Sequence, residues 1–296
     1  MATAQPYAPP RTDWGAPQLQ GRWTNASLTT LERPDALPTV VLTEAQAQAY
    51  EAAHPRRPFI PNDLVGQGET EIWELTSGLA RVGGEPRASW IVDPADGRLP
   101  FSEEGRQKLR RTIGADDPEE RTLGDRCLTD KAGPPMLNGN YNNRWLLVQT
   151  RDYLVIQMEH GGEVRIIRIT NSGHLPAAVS QWKGDSIARW DGDTLMIETT
   201  NFHERQGWRR HALWHYYLSA GAIVTETLKR TSADDLLYTF TVSDPATYTQ
   251  TWRGEMPLRT TKERMYEYAC HEGNYSLGNI LAGARVQAER KVRAPQ

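Results

Sequence analysis

The sequence predicts a mainly β protein whose antiparallel strands form a meander closed into a lipocalin-like, or calycin-like, barrel. From Tyr141 onward, runs of alternating apolar and polar residues are separated by short turns, which is the spacing of an antiparallel meander. A meander of this length must hide its two edges, and closure into a barrel is the simplest way to do so. The chain then divides into an N-terminal arm and helical or irregular wrap packed on the barrel (1–140), the barrel (141–275), and a C-terminal helix and tail (276–296).

The N-terminal part is expected to contain few regular elements. Residues 1–42 hold repeated prolines, which fix φ and remove hydrogen-bond donors, so they are expected to form an extended arm. Thr43 is placed to cap a helix that ends before Pro55, and Ser102 to cap a second helix of about two turns. Between these helices a short strand is expected at 89–93.

The strands of the barrel follow. They are expected at 145–150, 153–158, 163–169, on both sides of the Asp191-Gly192-Asp193 turn, and at 222–230, 236–242 and 248–252. Residues 276–291 are typical of a terminal helix interrupted by glycine. No element is indicated for 60–86, and 116–130 is charged and expected to be exposed apart from Cys127 and Leu128.

The central hairpin has two candidate registers. Asp-Gly favours a tight turn, because glycine takes a positive φ at no steric cost. If Asp191-Gly192 alone forms the loop, Ala188 shares a face with Leu195. If the loop has three residues, Ile187 joins that face and carries Asp185 inward, because a slip of one residue swaps the two faces.

The composition narrows the class of protein. A formal charge of -3 and a pI near 6.2 argue against a nucleic-acid surface. No run of about 18 apolar residues is present, so no membrane span is expected. Trp and Tyr number 10 and 11 against 4 Phe, and rings with a polar group suit ligand pockets and sugar or aryl stacking, although Trp also fills barrel cores.

Cys127 and Cys270 lie far apart in sequence. They are compatible with one structural disulfide in an exported protein or with two inert buried thiols, and we expect a bond if the protein is exported. The N-terminus lacks a basic and apolar signal sequence. The expected location is therefore periplasmic or secreted if a signal peptide was removed, and cytoplasmic otherwise.

Several motifs resemble those of a group of uncharacterised bacterial proteins that often carry an export signal. They are DWGAPQLQGRWTN at 13–25, GDS at 184–186 with WDGDTL at 190–195, TTNF at 199–202 and YACHEGNY at 268–275. The resemblance covers nearly the whole chain and implies no activity or catalytic residue. It does imply that an export signal was trimmed from the N-terminus. Residues 206–217 depart from the pattern, so substrate contacts there are expected to be particular to this protein.

Two strands carry a titratable side chain among apolar neighbours, and both side chains are catalytic candidates. Glu226 alternates with apolar residues, and an unpaired carboxylate inside a barrel suits general acid or base chemistry. Alternatively, the strand turns its threonines inward, or Glu226 meets a buried arginine. His160 follows Met158 on an apolar strand face and is suited to act as a base, or it simply caps a hairpin before Gly161.

The segment 270–275 places a thiol, an imidazole, a carboxylate, an amide and a phenol close together. His271 and Glu272 are further catalytic candidates, and Tyr275 is a substrate-binding candidate. A Cys-His nucleophile pair is disfavoured, because adjacent residues rarely face one another. The alternative is that this corner only ties down the chain.

The remaining substrate-binding candidates are aromatic and amide side chains. They are Tyr141, Asn143, Trp182, Asn201, Trp214, Tyr238 and Trp252. The amides around Asn143 can orient a ligand or form a plain turn. His211 and His215 lack the third ligand of a recognised metal motif, so no metal is predicted. No phosphate loop, nucleophile elbow or dinucleotide fingerprint is present, so no cofactor is predicted either.

The leading functional hypothesis is a cofactor-independent enzyme of the lyase, isomerase or cyclase type. It would use acid–base chemistry (cyclisation, isomerisation, elimination or hydration) on a small apolar or aryl-bearing molecule held in a barrel pocket. One alternative is a lipocalin-like binding protein without turnover, and another is a carbohydrate-active protein. The expected partner is a small-molecule substrate or ligand, with no nucleic acid, and a homodimer is compatible with the sequence.

Overall fold

A computed structural model describes residues 7–54, 78–110, 116–139, 141–211 and 214–293. Its strands in chain order are β1 (Gly21–Thr24), β2 (Arg81–Val82), β3 (Glu85–Pro86), β4 (Ile91–Asp93), β5 (Arg144–Gln149), β6 (Tyr153–Met158), β7 (Val164–Ile169), β8 (Asp185–Asp191), β9 (Thr194–Thr200), β10 (Arg209–His211), β11 (Trp214–Tyr216), β12 (Ile223–Arg230), β13 (Asp235–Ser243) and β14 (Trp252–Thr260). The α-helices are α1 (Glu44–Ala53), α2 (Glu103–Arg110), α3 (Cys270–Gly273) and α4 (Tyr275–Arg293).

Nine of the described strands form a closed barrel, which confirms the predicted fold class. Around the ring the order is β1, β5, β6, β7, β8, β9, β12, β13 and β14, and β1 pairs with both β5 and β14. Neighbouring strands are antiparallel except β7 and β8, which run parallel where Arg168 faces Ile187. β4 pairs with β14 beside Arg253 and so adds a tenth strand to the sheet outside the ring.

The alternation of side chains along each strand decides what fills the barrel. In β13, Leu236, Tyr238, Phe240 and Val242 are buried, while the residues between them are partly exposed. The ring also turns Trp23, Trp145 and Trp252 inward, and all three are almost completely buried. Burying one large apolar side chain stabilises a fold by roughly 1.5–3 kcal/mol. These three tryptophans therefore serve to pack the barrel interior.

The N-terminal arm supplies the strand that closes the barrel. Trp23 in β1 pairs with Trp145 in β5 on one side and with Thr260 in β14 on the other. The arm is fixed further at Leu19, whose backbone N–H donates to the buried side chain of Gln149 at 2.7 Å. The sequence analysis assigned β1 to the N-terminal wrap. The strand has only four residues and lies next to proline-rich sequence, so its alternation of side chains is too short to be recognised.

The helical predictions hold. Thr43 caps α1 in a capping box with Gln46, in which each side chain bonds the backbone N–H of the other residue. Ser102 caps α2 by accepting a hydrogen bond from the backbone of Gly105 at 3.0 Å. The terminal helix is present as α4, and most of its side chains are exposed. Within the described residues, no helix is both long and apolar enough to cross a membrane.

The central hairpin has the faces of the first predicted register but a loop that neither register predicted. Asp191 pairs with Thr194, so the loop is Gly192-Asp193 and neither predicted loop is correct. The faces are nevertheless those of the first register, because a shift by two in pairing keeps the same side chains on the same face. Ala188 and Leu195 are buried as that register requires.

Three other expectations need correction. The last strand of the barrel is β14, which begins at Trp252, whereas the sequence predicts a strand at 248–252. Tyr248 is instead buried in the preceding turn. The segment 116–130 is not simply exposed, because Thr122, Leu123 and Thr129 are buried and Leu128 is only partly so. Most of 60–86, for which no element was predicted, lies outside the described residues, and its last part contains β2 and β3.

Candidate functional site

The carboxylate of Glu226 lies inside the barrel and is fully engaged. Arg165 of β7 donates two hydrogen bonds to it, one of them at 2.9 Å, and Tyr238 of β13 donates a third at 2.6 Å. The guanidinium also donates to the hydroxyls of Ser186 and Thr199. This is the buried arginine that the sequence analysis left open as an alternative for Glu226.

The electrostatics of this group fit a structural ion pair. Burial raises the pKa of Tyr238 well above its usual value, and the nearby charge of Glu226 adds to the effect, so the phenol stays protonated. Burial lowers the pKa of Arg165, but the charge of Glu226 outweighs it and the pKa is raised overall. The hydrogen-bonding capacity of Glu226 is thus taken up by Arg165 and Tyr238.

His160 occupies a turn at one end of the barrel. A 3-10 turn, His160–Gly162, joins β6 to β7, and two glycines follow His160 directly. Gly161 has a φ of 78°, a conformation that favours glycine. His160 therefore does not continue the interior face of β6 as one interpretation of the sequence had it, and it lies in the hairpin turn that the alternative described.

Asp130 pairs with His160. The Nε2 atom of His160 lies 2.9 Å from Oδ2 of Asp130, and the side chains are 12% and 20% exposed. Burial raises the pKa of Asp130, but the ammonium of Lys131, 3.6 Å away, and the hydrogen bond to His160 outweigh it and hold that pKa well below its usual range. An ionised Asp130 accepts the proton on Nε2, which leaves Nδ1 as the basic nitrogen of the neutral ring.

Glu163 fixes Asp130 against the turn. Its carboxylate accepts one hydrogen bond from the hydroxyl of Thr129 at 2.6 Å and another from the backbone N–H of Asp130. The ammonium of Lys183 lies 3.9 Å from the same carboxylate. Glu163 lies three residues after His160, so these hydrogen bonds hold the backbone of Asp130 against the segment that carries His160.

Two tyrosines complete a cluster of rings around His160. Its ring centroid lies 5.0 Å from that of Tyr141 and 4.9 Å from that of Tyr268. The two phenol oxygens are 3.5 Å apart. Burial raises the pKa of Tyr268, and the hydrogen bond with Tyr141 raises it further, so this phenol stays protonated. Nδ1 of His160 is buried and has no hydrogen-bond partner among the described residues.

The C-terminal segment forms the other wall of this site. Cys127 and Cys270 are bonded to each other, and the bond joins the segment before Asp130 to helix α3. His271 and Glu272 follow on α3 and are exposed at the rim. We call the cavity between these walls the His160 pocket. It measures about 150 Å³ and is lined by Gly124, Cys127, Thr129, Asp130, His160, Gly161, Glu163, Tyr268, Cys270, His271 and Glu272.

Three binding candidates have structural roles near this region. Tyr141 belongs to the ring cluster just described. Asn143 is buried and bonds both the N–H and the C=O of Gly139, so it forms the turn that was its alternative interpretation. Trp182 stacks on His203 at 4.2 Å, outside the residues that line the His160 pocket.

The other binding candidates are dispersed. The side-chain amide of Asn201 donates to the carbonyl of Leu175 at 2.9 Å and so holds a loop. Trp252 is fully buried in the barrel, like Tyr238, whereas Tyr275 is 79% exposed at the start of α4. Trp214 lies in β11, and its side chain is not among those described.

Other described cavities hold less chemistry. A groove of about 660 Å³ runs along 177–180, 200–204 and 220–223, with Asn201 committed to its loop. A cavity of about 270 Å³ lies outside the barrel beside Glu198, whose carboxylate is engaged by His174 at 3.1 Å. No group of three or more His, Cys, Asp or Glu side chains suited to a metal occurs in the described part of the chain.

The sequence thus identified residues on both walls of the pocket and missed others that complete it. His160, His271 and Glu272 were candidates, and the fold brings them to one cavity. Asp130 was hidden in a charged stretch expected to be exposed, and Tyr268 precedes the predicted tie-down corner. The predicted disulfide is the signal that could have identified Asp130 and Tyr268. A bond between Cys127 and Cys270 places the residues next to Cys127, which include Asp130, beside the residues next to Cys270, which include Tyr268.

Comparison with known proteins adds no further assignment. No family model, curated protein or solved structure matches the chain. The motif resemblance to a group of bacterial proteins therefore stays a prediction, and the interpretation of the site depends on its geometry.

Proposed function

We propose that the protein is a cofactor-independent acid–base enzyme of the lyase or isomerase type, with its site in the His160 pocket. The observation that carries the proposal is the 2.9 Å contact between Nε2 of His160 and the carboxylate of Asp130 beside an unpartnered Nδ1. A carboxylate that holds one imidazole nitrogen fixes the tautomer and stabilises the imidazolium that forms when the other nitrogen takes a proton. His160 is then the general base, Asp130 its positioning residue, and Tyr268 a protonated phenol beside it.

The size of the pocket supports a small substrate. A cavity of about 150 Å³ encloses a group near the size of benzene, and the rim, where His271 and Glu272 are exposed, leaves the remainder of a somewhat larger molecule in solvent. The barrel interior is a less suitable place for a substrate, because its inward side chains pack against one another and Glu226 is hydrogen-bonded to Arg165. A substrate in the pocket lies among the groups that line it, which include the ring of Tyr268, the disulfide and the imidazole of His160.

Access to Nδ1 requires a small movement of its surroundings, because this atom is buried. The wall formed by 261–273 is the one suited to move, since most of its residues are exposed. Its described attachments include the disulfide and the hydrogen bond from the backbone of Tyr266 to Glu159 at 2.9 Å. A substrate that moves Tyr268 aside gains a hydrogen bond to Nδ1, which offsets part of the cost of the movement.

A generic proton-abstraction probe tests the proposal without knowledge of the natural substrate. In a nitro-substituted benzisoxazole, a base removes the proton on carbon, the ring N–O bond breaks, and a coloured cyanophenolate is released. We expect the protein to accelerate this elimination and His160→Gln to lose about a hundredfold or more of the acceleration, the scale of losing a general base. His203→Gln is the matched control, because this ring stacks on Trp182 outside the pocket lining.

The outcomes separate the alternatives. If the parent and His160→Gln accelerate elimination equally, His160 is not the base and the proposal fails. If the probe binds in the pocket, seen as a shift of the His160 resonances, but no elimination occurs above that of free imidazole, a binding protein without turnover is the better description.

A further inference from the structure

We infer that the His160 pocket acts on small, uncharged ketones or aldehydes that carry a proton on the carbon next to the carbonyl group, with Tyr268 as the donor to the carbonyl oxygen. The inference rests on the proposed function, because it needs His160 as the base. It adds the chemical class of the substrate and a second catalytic residue.

The donors and acceptors of the pocket point to a carbonyl group. Asp130, Glu163 and Glu272 are carboxylates and can only accept, the hydroxyl of Thr129 is committed to Glu163 at 2.6 Å, and His271 lies exposed at the rim, away from the ring cluster. The hydroxyl of Tyr268 has only a 3.5 Å contact with Tyr141 among its described partners. A phenol has one proton, and either oxygen can be the donor in the contact between the two tyrosines. With Tyr141 as the donor in that contact, Tyr268 accepts from it and donates its own proton to a ligand oxygen.

The spacing suits a base and a donor that act on one small group. The imidazole and phenol centroids are 4.9 Å apart with the rings tilted by 36°. Rings this close are in van der Waals contact, so a substrate enters only when Tyr268 moves aside, as proposed above. Its carbon-bound proton and the oxygen of the adjacent carbonyl, the two atoms that must be held when such a proton is removed, then lie next to the imidazole and the phenol hydroxyl. The burial that keeps Tyr268 protonated keeps it a donor throughout.

The charges of the pocket favour an uncharged substrate. Asp130, Glu163 and Glu272 line it, and no Lys or Arg is found among the described lining residues. The ammonium groups of Lys131 and Lys183, 3.6 Å from Asp130 and 3.9 Å from Glu163, lie outside this lining and offset part of the negative charge. A substrate carboxylate or phosphate would enter this field at an electrostatic cost. The negative charge that develops on a ketone oxygen is instead met by the dipole of the Tyr268 hydroxyl, while Asp130 balances the proton gained by His160.

The step balances without any further reagent. The bond between carbon and hydrogen breaks, the proton goes to Nδ1 of His160, and the electron pair forms a carbon–carbon double bond. The π pair of the carbonyl moves to oxygen, where the hydroxyl of Tyr268 donates to it. Return of the proton to the same carbon regenerates the ketone, and return to another carbon, or loss of a neighbouring substituent, gives an isomerisation or an elimination.

Hydrogen exchange into acetophenone tests the inference. The full-length, disulfide-bonded protein is incubated with acetophenone in D₂O, and deuterium in the methyl group is measured by mass spectrometry. We expect exchange well above that of buffer, and Tyr268→Phe, which keeps the ring, is expected to lose roughly a hundredfold, the effect of removing one oxyanion donor. Tyr153→Phe is the matched control, because Tyr153 is a half-exposed phenol on the outer wall of the barrel.

The benzisoxazole elimination in the same samples separates failure of the inference from failure of the proposed function. That probe expels a phenolate that needs little help from a donor, so Tyr268→Phe is expected to keep most of this activity, which also shows that the variant is folded. Elimination that depends on His160, combined with acetophenone exchange that is absent or unchanged in Tyr268→Phe, overturns the inference and leaves the proposed function standing. If His160→Gln keeps both the elimination and the acetophenone exchange at the parent rate, the inference and the proposed function are both wrong.

Discussion

Replacing Glu226 by glutamine is expected to destabilise the barrel rather than to remove a catalytic group. The carboxylate accepts two hydrogen bonds from Arg165 and one from Tyr238, and both charged side chains are at most 2% exposed. Glutamine keeps one oxygen but turns an NH₂ group toward the guanidinium, and it leaves the charge of Arg165 without a counter-ion. Breaking a buried pair in this way costs about 3–5 kcal/mol.

Urea unfolding followed by tryptophan fluorescence measures this effect. The matched control is Glu198→Gln on the neighbouring strand β9, where the carboxylate is 47% exposed and its loss is expected to change the free energy of unfolding by about 1 kcal/mol or less. A double variant, Arg165→Met with Glu226→Leu, leaves no buried charge and is expected to recover much of the stability lost in the single variant.

Two results would refute this reasoning. One is a Glu226→Gln protein within about 1 kcal/mol of the parent in unfolding free energy but without the elimination activity proposed above, since that combination marks a catalytic carboxylate. The other is a double variant no more stable than the single one, since the loss would then not arise from the uncompensated charge of Arg165.

Three further predictions concern the site and the core. Replacing Cys127 and Cys270 by serine is expected to lower the unfolding free energy by up to about 5 kcal/mol, because the bond closes a sequence separation of 143, and an unchanged value in denaturant unfolding would contradict this. The pKa of Asp130 is lowered in the folded protein, so its ionised form contributes stability that is fully present above about pH 4 and shrinks as the pH falls toward the folded pKa. The unfolding free energies of the parent and Asp130→Asn should therefore differ less at about pH 2 than at about pH 7, and equal differences at the two pH values would contradict this. Gly254→Ala is expected to cost about 1–3 kcal/mol in the same assay, because its Cβ would lie 2.2 Å from the ring of Phe240, and an unaltered midpoint would contradict it.

The fold class was predictable because its signal is local. Alternation along each strand and short turns between strands depend on neighbours in sequence, and β5 to β9 appear close to where that pattern places them. The loop of the central hairpin was missed by one residue because glycine, which determines the turn, sits at the first rather than the second loop position.

The candidate site was only half predictable because its parts are distant in sequence. Glu226 has the same local pattern whether it is catalytic or paired, and its partner Arg165 is identified only when β7 and β12 face each other across the barrel. In the same way, nothing near His160 in sequence indicates Asp130, since the two meet only when Glu163 accepts hydrogen bonds from Thr129 and from the backbone of Asp130.

The seam between β1 and β14 has a consequence for how the protein is made. Trp23, near the start of the chain, must find Thr260, which is synthesised long afterwards, so the contact order is high and ring closure is expected to be slow. Until Trp252–Thr260 leaves the ribosome, the growing sheet has two unpaired edges. The nascent chain is therefore a natural client for chaperones, and truncation at either end should expose the same edge to aggregation.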